Sequence, residues 1–219
     1  MKILAIRGRN LASLAGDFAI DFREEPLASA GLFAITGPTG AGKSTLLDAL
    51  CLALYNQTPR LAPVSPQAPA ISDVGEHDLK VKDVRNLLRK GAAEGIAEVE
   101  FSGIDGADYR ATWSARRARL SPGGALQNVS MTLVSLPDLT PVGRTRSEVE
   151  EEIVRRIGLS FEEFTRAVLL AQNEFFAFLK ADDDKRANLL EALTSSNRFS
   201  QLSKAAFTRA REEGDALKA

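Results

Sequence analysis

The sequence has almost none of the residues that build disulfides or zinc sites. Among its 219 residues, Cys51 is the single cysteine and His77 the single histidine. These counts exclude an intrachain disulfide framework and a zinc site built from several such ligands. Cys51 lies in an apolar stretch, so we expect it to pack as a small buried side chain. The composition is typical of a reducing compartment.

An excess of charge of one sign and a long apolar segment are also missing. The chain carries 28 basic and 29 acidic side chains, a formal net charge of −1. Any contact with nucleic acid must therefore come from a local patch rather than from overall attraction. No run of about 18 apolar residues occurs, and Arg7 and Arg9 interrupt the apolar start of the chain. We expect a cytoplasmic protein without a membrane span.

Hydrophobic periodicity predicts both strands and helices, and hence an α/β fold. The segment 44–55 is apolar nearly all round apart from Asp48, which is typical of a helix buried against a sheet. Residues 56–83 are rich in proline and have no sustained period, which indicates a long loop. Branched or alternating apolar residues predict strands at 3–6, 18–22 and 31–36, the last of them buried.

The second half of the chain changes from strand to helix periodicity. The sequences T-R-S-E at 145–148 and S-F-E-E at 160–163 have the capping-box form, and each introduces apolar residues at helical spacing. The charged, leucine-bearing end could start a coiled coil, although it holds fewer than three heptads. Alternating residues before these helices predict an antiparallel meander with one wet face, with strands at 97–101, 109–113 and 129–133.

The stretch F-A-I-T-G-P-T-G-A-G-K-S-T at 33–45 predicts a phosphate site. Gly37, Gly42, Lys43 and Ser44 fit the P-loop pattern G-x-x-x-x-G-K-[ST], in which backbone N–H groups cradle phosphate. Lys43 then reaches the β and γ oxygens, and the Ser44 hydroxyl can ligate Mg²⁺. An ordinary glycine turn is the alternative. Nucleotide binding fits the context better, with ATP and Mg²⁺ held by Gly37, Pro38, Thr39, Gly40, Ala41, Gly42, Lys43, Ser44 and Thr45.

A P-loop alone does not hydrolyse nucleotide, because a second acidic residue must hold Mg²⁺ and another group must orient the attacking water. In P-loop enzymes that acid ends an apolar strand. After the loop, no run of four apolar residues followed by Asp occurs in this sequence. The nearest match, L-V-S-L-P-D at 133–138, is interrupted by Ser135 and Pro137. We therefore predict that the hydrolytic site is incomplete in this chain.

Four segments resemble, in this order, the N-terminal half of the SbcC family, the ATPase subunits of bacterial SbcCD nucleases in the SMC-like branch of the ABC ATPases. In that family the head domain is split by a long coiled coil, and the C-terminal half carries the acidic strand and the signature motif. The resemblance therefore explains the missing carboxylate. The matching segments are residues 1–22, 31–61, 97–101 and 164–181.

The resemblance implies a fold and a division of the chain. The fold is α/β, a P-loop NTPase of ABC-ATPase type with a mixed sheet, an antiparallel β portion and a helical lobe leading into a coiled coil. The implied domains are a nucleotide-binding lobe with the P-loop at 1–144, a helical lobe with the Q-loop at 145–194 and the start of a coiled-coil helix at 195–219.

The resemblance also implies site residues and partners. Gln172 takes the position of the Q-loop glutamine, which contacts Mg²⁺ and the γ-phosphate region, and Lys43 and Gln172 are the expected catalytic residues. In that family a loop at the position of residues 10–13 approaches the nucleotide, but Ala12 stands where relatives have Arg, so no residue there is assigned a role. The expected partners are the C-terminal half of the same head, a second SbcC head, the SbcD nuclease and DNA. ATP-driven dimerisation of the heads and ATP hydrolysis would control the SbcD nuclease.

Two weaker patterns allow more than one interpretation. L-S-P-G-G at 120–124 faintly resembles the ABC signature motif, but Pro-Gly-Gly between two alternating strands predicts a hairpin loop. Four arginines on the second alternating strand and after it could contact DNA phosphates or form ordinary surface. They are Arg110, Arg116, Arg117 and Arg119.

Two rival functions stay open at the level of sequence. A small P-loop kinase that transfers phosphate to a metabolite should carry its own acidic anchor and an arginine-bearing lid, and the missing acidic strand argues against it. A binding module that uses nucleotide only as a structural ligand is the third possibility. ATPase activity of the chain alone, compared with activity after mixing with a C-terminal half, separates the three.

Overall fold

The computed structural model describes residues 1–61, 70–74, 78–169 and 197–216. Contacts divide the chain into two compact units, Met1–Phe161 and Glu162–Ala219. The first unit includes the first helix of the expected helical lobe. The division does not test the expected domain boundaries at 145 and 195, which stay predictions.

A six-stranded sheet forms the centre of the first unit. Its strands are β1 (Lys2–Leu11), β2 (Leu14–Asp21), β5 (Glu94–Ser102), β6 (Asp108–Arg116), β7 (Ser130–Ser135) and β8 (Thr140–Pro141). They lie in the order β2-β1-β5-β6-β7-β8, and every pair is antiparallel. A separate two-stranded ribbon pairs β3 (Ile71–Ser72) with β4 (Asp78–Leu79). The predicted meander is confirmed.

Helices and helical turns fill the connections. The α-helices are α1 (Lys43–Tyr55), α2 (Arg146–Ile157), α3 (Phe161–Phe164) and α4 (Asn197–Ala216). A π-helical turn covers Thr165–Leu169, and 3₁₀ turns cover Pro59–Leu61, Val84–Leu87 and Ala118–Leu120. None of the helices within the described ranges is long and apolar enough to span a bilayer. α4 lies where a coiled coil was expected, and supercoiling stays a prediction.

One face of the sheet forms the core of the first unit. Strand residues alternate between the two faces, so Val99, Phe101, Ala111 and Trp113 all project to the same side, where each is fully buried. Helix α1 packs on β1, β5 and β6, and α2 packs on β7 and α1. The opposite face carries the charged residues of the same strands.

Helix α1 is buried along most of its length, as its sequence predicted. All residues from Asp48 to Tyr55 are buried, including Cys51, which has no exposed surface. The helix ends at Asn56, a C-cap in the left-handed region with φ 52°. The Asn56 side chain accepts from Trp113 Nε1 at 2.9 Å and donates to Glu150 Oε1 at 3.1 Å. One amide therefore joins the end of α1 to the sheet and to α2.

Helix α2 begins and ends at the predicted residues. Thr145 is the N-cap, its hydroxyl accepts from Glu148 N, and the Glu148 carboxylate accepts from Thr145 N, which completes the capping box. Gly158 closes the helix at φ 77°, where a residue without Cβ is least strained. The buried stripe is Val149, Ile153 and Ile157, as the helical spacing predicted.

The predicted strand at 31–36 is wrong. Residues 33–38 have no regular structure, and Leu32, Phe33 and Ile35 are 93%, 48% and 46% exposed. A strand needs a neighbour for its backbone N–H and C=O groups, and no strand in the described residues pairs with this segment. Of the expected mixed sheet, the described residues contain the antiparallel part. Apolar periodicity indicates that a segment tends to be buried, but it does not show whether a neighbouring strand is present to pair with it.

Candidate functional site

The P-loop leads directly into helix α1. Gly42 is the N-cap of the helix at φ 93°, a backbone conformation that a residue with Cβ adopts only under strain. Leu14 packs on the same glycine, because a Cβ built there would overlap the Leu14 side chain. Both the dihedral angle and the packing therefore require glycine at the second glycine position of the motif.

Several backbone N–H groups of the loop have no acceptor. Within the described part of the chain, the N–H groups of Gly40, Gly42, Lys43 and Ser44 donate no hydrogen bond, whereas Ala41 N donates to Pro38 O at 3.2 Å. Lys43 and Ser44 belong to the first turn of α1, where the helix dipole is positive. This arrangement suits an anion, since free donors and a positive helix end lie together.

The Lys43 ammonium closes the loop on itself. Its Nζ donates to Gly37 O at 2.7 Å and to Pro38 O at 2.9 Å. The side chain therefore lies over the loop, with its charge directed at carbonyl oxygens rather than at a carboxylate. An anion in the loop would compete with these two carbonyls for the ammonium.

A tight turn that joins β1 to β2 contacts the base of the P-loop. Ser13 Oγ lies 3.4 Å from Oγ1 of Thr45, and Thr45 is 1% exposed. Arg89 holds this turn from the other side by donating to the carbonyls of Ala12 and Ser13. Sequence reasoning placed residues 10–13 near a nucleotide only by resemblance and missed Arg89, for which no motif gave a signal.

Asp48 is the one acidic side chain in the buried part of α1. Its Oδ1 accepts from the Thr58 hydroxyl, and its Oδ2 forms an ion pair with Arg60 Nη2 at 2.5 Å. Burial raises the pKa of Asp48, although Thr58 and Arg60 act in the opposite direction. Asp48 was the only interruption of an apolar helix, so the sequence did mark it. These contacts hold the segment that follows α1 against the helix.

Two further sequence candidates are an acidic residue, Asp138, and a glutamine, Gln172. Asp138, the end of the nearest match to an acidic strand, lies exposed in the turn between β7 and β8. No group of three potential metal ligands occurs within the described ranges. Gln172 lies outside the described residues. The absence of a metal-anchoring carboxylate from this chain stays a prediction.

Two of the four arginines that could contact DNA are already paired. Arg117 is 5% exposed and bound to Asp73, and Arg110 donates to Glu100 Oε1 at 2.7 Å. The DNA interpretation is therefore wrong for Arg117, since its side chain is not accessible. Arg116 and Arg119 are exposed. The L-S-P-G-G segment connects β6 to β7, which confirms the predicted hairpin loop.

A family comparison agrees with this geometry. The sequence model of a family described as "AAA domain" matches residues 5–218. The chain belongs to this family. Membership implies nucleotide binding, and the free N–H groups and Lys43 of the P-loop fit that function. The α/β P-loop ATPase fold predicted from the sequence is confirmed.

Individual relatives point in the same direction. The chain is 56% identical over 219 residues to the SbcC subunit of the SbcCD nuclease of Pseudomonas aeruginosa, an alignment that covers 100% of this chain and 18% of the relative. It is 49% identical over 203 residues to the SbcC subunit from Rhodobacter capsulatus, covering 93% and 16%. A "Probable DNA double-strand break repair Rad50 ATPase" of Aquifex aeolicus is 27% identical over 194 residues, covering 85% and 16%.

The chain spans less than a fifth of the length of these relatives. Its similarity to SbcC subunits, stated above from sequence segments, is confirmed. The alternative of a small kinase receives no support from these relatives.

Proposed function

We propose that this chain is the N-terminal, P-loop-bearing lobe of an ATPase head in a nuclease complex of SbcCD type that processes DNA double-strand breaks and hairpins. The observation that carries the proposal is the P-loop itself, with free N–H groups at Gly40, Gly42, Lys43 and Ser44 at the start of a buried helix. The relatives with the highest identities given above are SbcC subunits, which supports this assignment over a kinase.

The proposed ligand is ATP with Mg²⁺, held by residues 37–45. The backbone N–H groups and the positive end of α1 bind the phosphates, and Lys43 gives up its two carbonyl acceptors for phosphate oxygens. Ser44 is exposed at the first turn of α1, so its hydroxyl is available as a metal ligand. Bound Mg²⁺ would neutralise phosphate charge. Gln172 is proposed as the Q-loop residue.

The chain is proposed to need a second polypeptide segment for hydrolysis. After the P-loop, the sequence has no run of four apolar residues followed by Asp, the pattern that would place a metal-anchoring carboxylate. The apolar residues Leu32, Phe33 and Ile35 are exposed immediately before the loop, and Leu47 of α1 is 39% exposed. We propose that strands of a C-terminal half pair with 31–36 and bring the missing carboxylate beside the P-loop.

The proposed assembly contains two heads, the SbcD nuclease and DNA, in the cytoplasm. Two heads close on two ATP molecules, because ATP binds the closed pair better than the open one, and hydrolysis releases the pair. The SbcD nuclease performs the cutting. This chain alone therefore should not cleave DNA.

The proposal is tested by ATP turnover of the chain before and after it is mixed with the C-terminal half. We expect negligible turnover from the chain alone and a gain on mixing. Brisk turnover by the chain alone would favour the kinase class. Binding without turnover in either sample would favour a module that uses nucleotide as a structural ligand.

Lys43→Ala is the matched negative control for nucleotide binding. It removes the cation that faces the phosphates while leaving the buried residues of α1 in place, so ATP binding should be lost. Calorimetry on the chain alone measures this directly. Unchanged affinity would overturn the assignment of the P-loop.

Gln172→Ala tests the proposed Q-loop role in the complete head. A residue that couples the nucleotide to the helical lobe should affect turnover more than binding. We therefore expect nearly unchanged ATP affinity and reduced turnover. Equal losses in both quantities would count against that role.

A further inference from the structure

Arg89 lies 46 residues after Lys43 in sequence, yet it holds the turn on which the P-loop rests. Its Nη1 donates to the carbonyl oxygens of Ala12 at 3.2 Å and Ser13 at 2.9 Å. Backbone hydrogen bonds join the same segments, from Arg89 N to Asn10 O at 2.9 Å and from Ala12 N to Leu87 O at 2.7 Å. The turn is therefore fixed from one side by a single short segment.

The turn has a strained backbone that this fixation maintains. Asn10 and Ala12 have φ of 51° and 45°, in the left-handed region that costs a residue with Cβ roughly 1–2 kcal/mol. The Asn10 side chain adds two bonds, from Nδ2 to Glu94 O at 3.2 Å and from Gly16 N to Oδ1 at 3.0 Å. Such strain persists only where the surroundings determine the conformation, and it is concentrated at functional sites.

The free side of the turn supports the P-loop. Leu14 occupies the space that a Cβ of Gly42 would need, and the Ser13 hydroxyl lies beside Thr45. Leu14 therefore contacts Gly42, the N-cap of α1, which has a positive φ. Ser13 contacts Thr45, a buried residue in the first turn of the helix. A shift of the turn would therefore allow Gly42 to leave its left-handed conformation, and the N–H groups beside it would move with it.

We propose that Arg89 is a positioning residue for phosphate binding, which acts by clamping the turn at residues 10–14 against Gly42 and Thr45. The inference rests on the proposed nucleotide-binding function and adds to it a residue that, among the described residues, donates its hydrogen bonds to residues 10–13 and not to the P-loop. Because Arg89 acts through the phosphate-binding backbone, its loss affects the polyphosphate part of a ligand and not the nucleoside part.

The test measures the affinity of the 219-residue chain for ATP and for inorganic tripolyphosphate by calorimetry. We expect Arg89→Ala to weaken binding of both ligands by the same factor, about tenfold, the loss that one hydrogen bond from a charged donor commonly represents. Arg89→Lys keeps a cationic donor and should recover part of the affinity. Lys90→Ala removes the adjacent exposed cation and should leave both affinities unchanged.

A second variant tests the path through the turn and does not depend on the stability of Arg89→Ala. Leu14→Ala removes the contact with Gly42 and should also weaken both ligands. If Arg89 acts through that contact, the double variant of Arg89→Ala and Leu14→Ala should lose less binding free energy than the sum of the losses in the two single variants. Full additivity in the cycle would show that Arg89 does not act through the turn and would overturn the proposal.

The outcomes separate this inference from the proposed function. If the wild-type chain binds neither ligand, the proposed function fails and the inference fails with it. If the wild-type chain binds both, and Arg89→Ala lowers only the melting temperature, Arg89 is merely structural and the inference alone is overturned. A loss for ATP without a loss for tripolyphosphate would also overturn it.

Discussion

Arg117 and Asp73 form a two-point ion pair that is almost sealed from water. The Nη2–Oδ1 and Nη1–Oδ2 distances are 2.6 and 2.9 Å, and the side chains are 5% and 10% exposed. Arg117 also donates to Gly124 O at 3.0 Å. Asp73 belongs to the loop after α1, and Arg117 follows β6, so the pair ties this loop to the sheet and to the β6–β7 hairpin.

Removing Asp73 should therefore destabilise the protein strongly. Asp73→Ala leaves the Arg117 charge buried without its partner, which commonly costs about 3–5 kcal/mol. Urea unfolding of the chain measures the free energy of unfolding. The matched control is Asp17→Ala, which breaks the exposed Arg9–Asp17 pair and should cost far less, because water screens that pair. Equal losses from the two variants would contradict the argument.

Glu100 should make stability depend on pH. Its carboxylate is 3% exposed and pairs with Arg7, Arg23 and Arg110. Burial alone would raise the pKa of Glu100, but hydrogen bonds from Arg7 and Arg110 outweigh burial and lower it. The ionised Glu100 carboxylate therefore contributes fully to the free energy of unfolding above about pH 4.5, the ordinary pKa of a glutamate. This contribution is lost as the pH falls through the lower pKa of Glu100 in the folded state.

The variant Glu100→Gln tests this dependence. We expect its free energy of unfolding at pH 7 to be about 1.5–3 kcal/mol lower than that of the wild type. This difference should shrink as the solution is acidified. Removal of a carboxylate at the exposed position Glu151 should change the value at pH 7 by no more than about 0.5 kcal/mol. A difference for Glu100→Gln that stays constant down to acid pH would rule out the proposed linkage.

The Thr145 cap should make a measurable contribution to α2. Thr145→Ala removes the hydroxyl that accepts from Glu148 N and should cost about 1 kcal/mol in urea unfolding. Thr145→Ser keeps the acceptor and is the matched control. If both variants were equally destabilised, the loss would come from the methyl group and not from the cap.

Cys51 should be unreactive in the folded chain. Burial, followed by the charge of Asp48, raises the pKa of the Cys51 thiol to about 12, so almost no thiolate exists at about pH 8. A thiol reagent should label no cysteine in the native protein and one per chain in urea. Rapid labelling without denaturant would show that α1 opens readily or that the helix is not buried.

The predictions that succeeded rest on local rules. The Thr145 capping box, the Gly158 stop and the alternating strands each depend on residues close together in sequence. The buried face of α1 was also predictable, because a helix that is apolar all round needs burial on most sides. Family membership then follows from the same segments.

The features that were missed depend on partners distant in sequence. The segment 31–36 has the composition of a strand, but pairing requires a neighbour that periodicity does not provide. Arg117 looked like surface because its partner, Asp73, lies 44 residues away in a loop. Arg89 gave no signal for a similar reason, since it contacts two backbone carbonyls, and any residue type supplies a carbonyl.

The hydrogen bond between Trp113 and Asn56 provides the protein with an internal optical probe. Trp113 is the single tryptophan and has no exposed surface, so all indole fluorescence comes from one dry environment. Its N–H is bonded to the residue that ends α1, and the other end of that helix begins at the P-loop lysine. Emission wavelength and intensity therefore report, without any attached dye, a change at the C-terminal end of α1 when the loop is occupied.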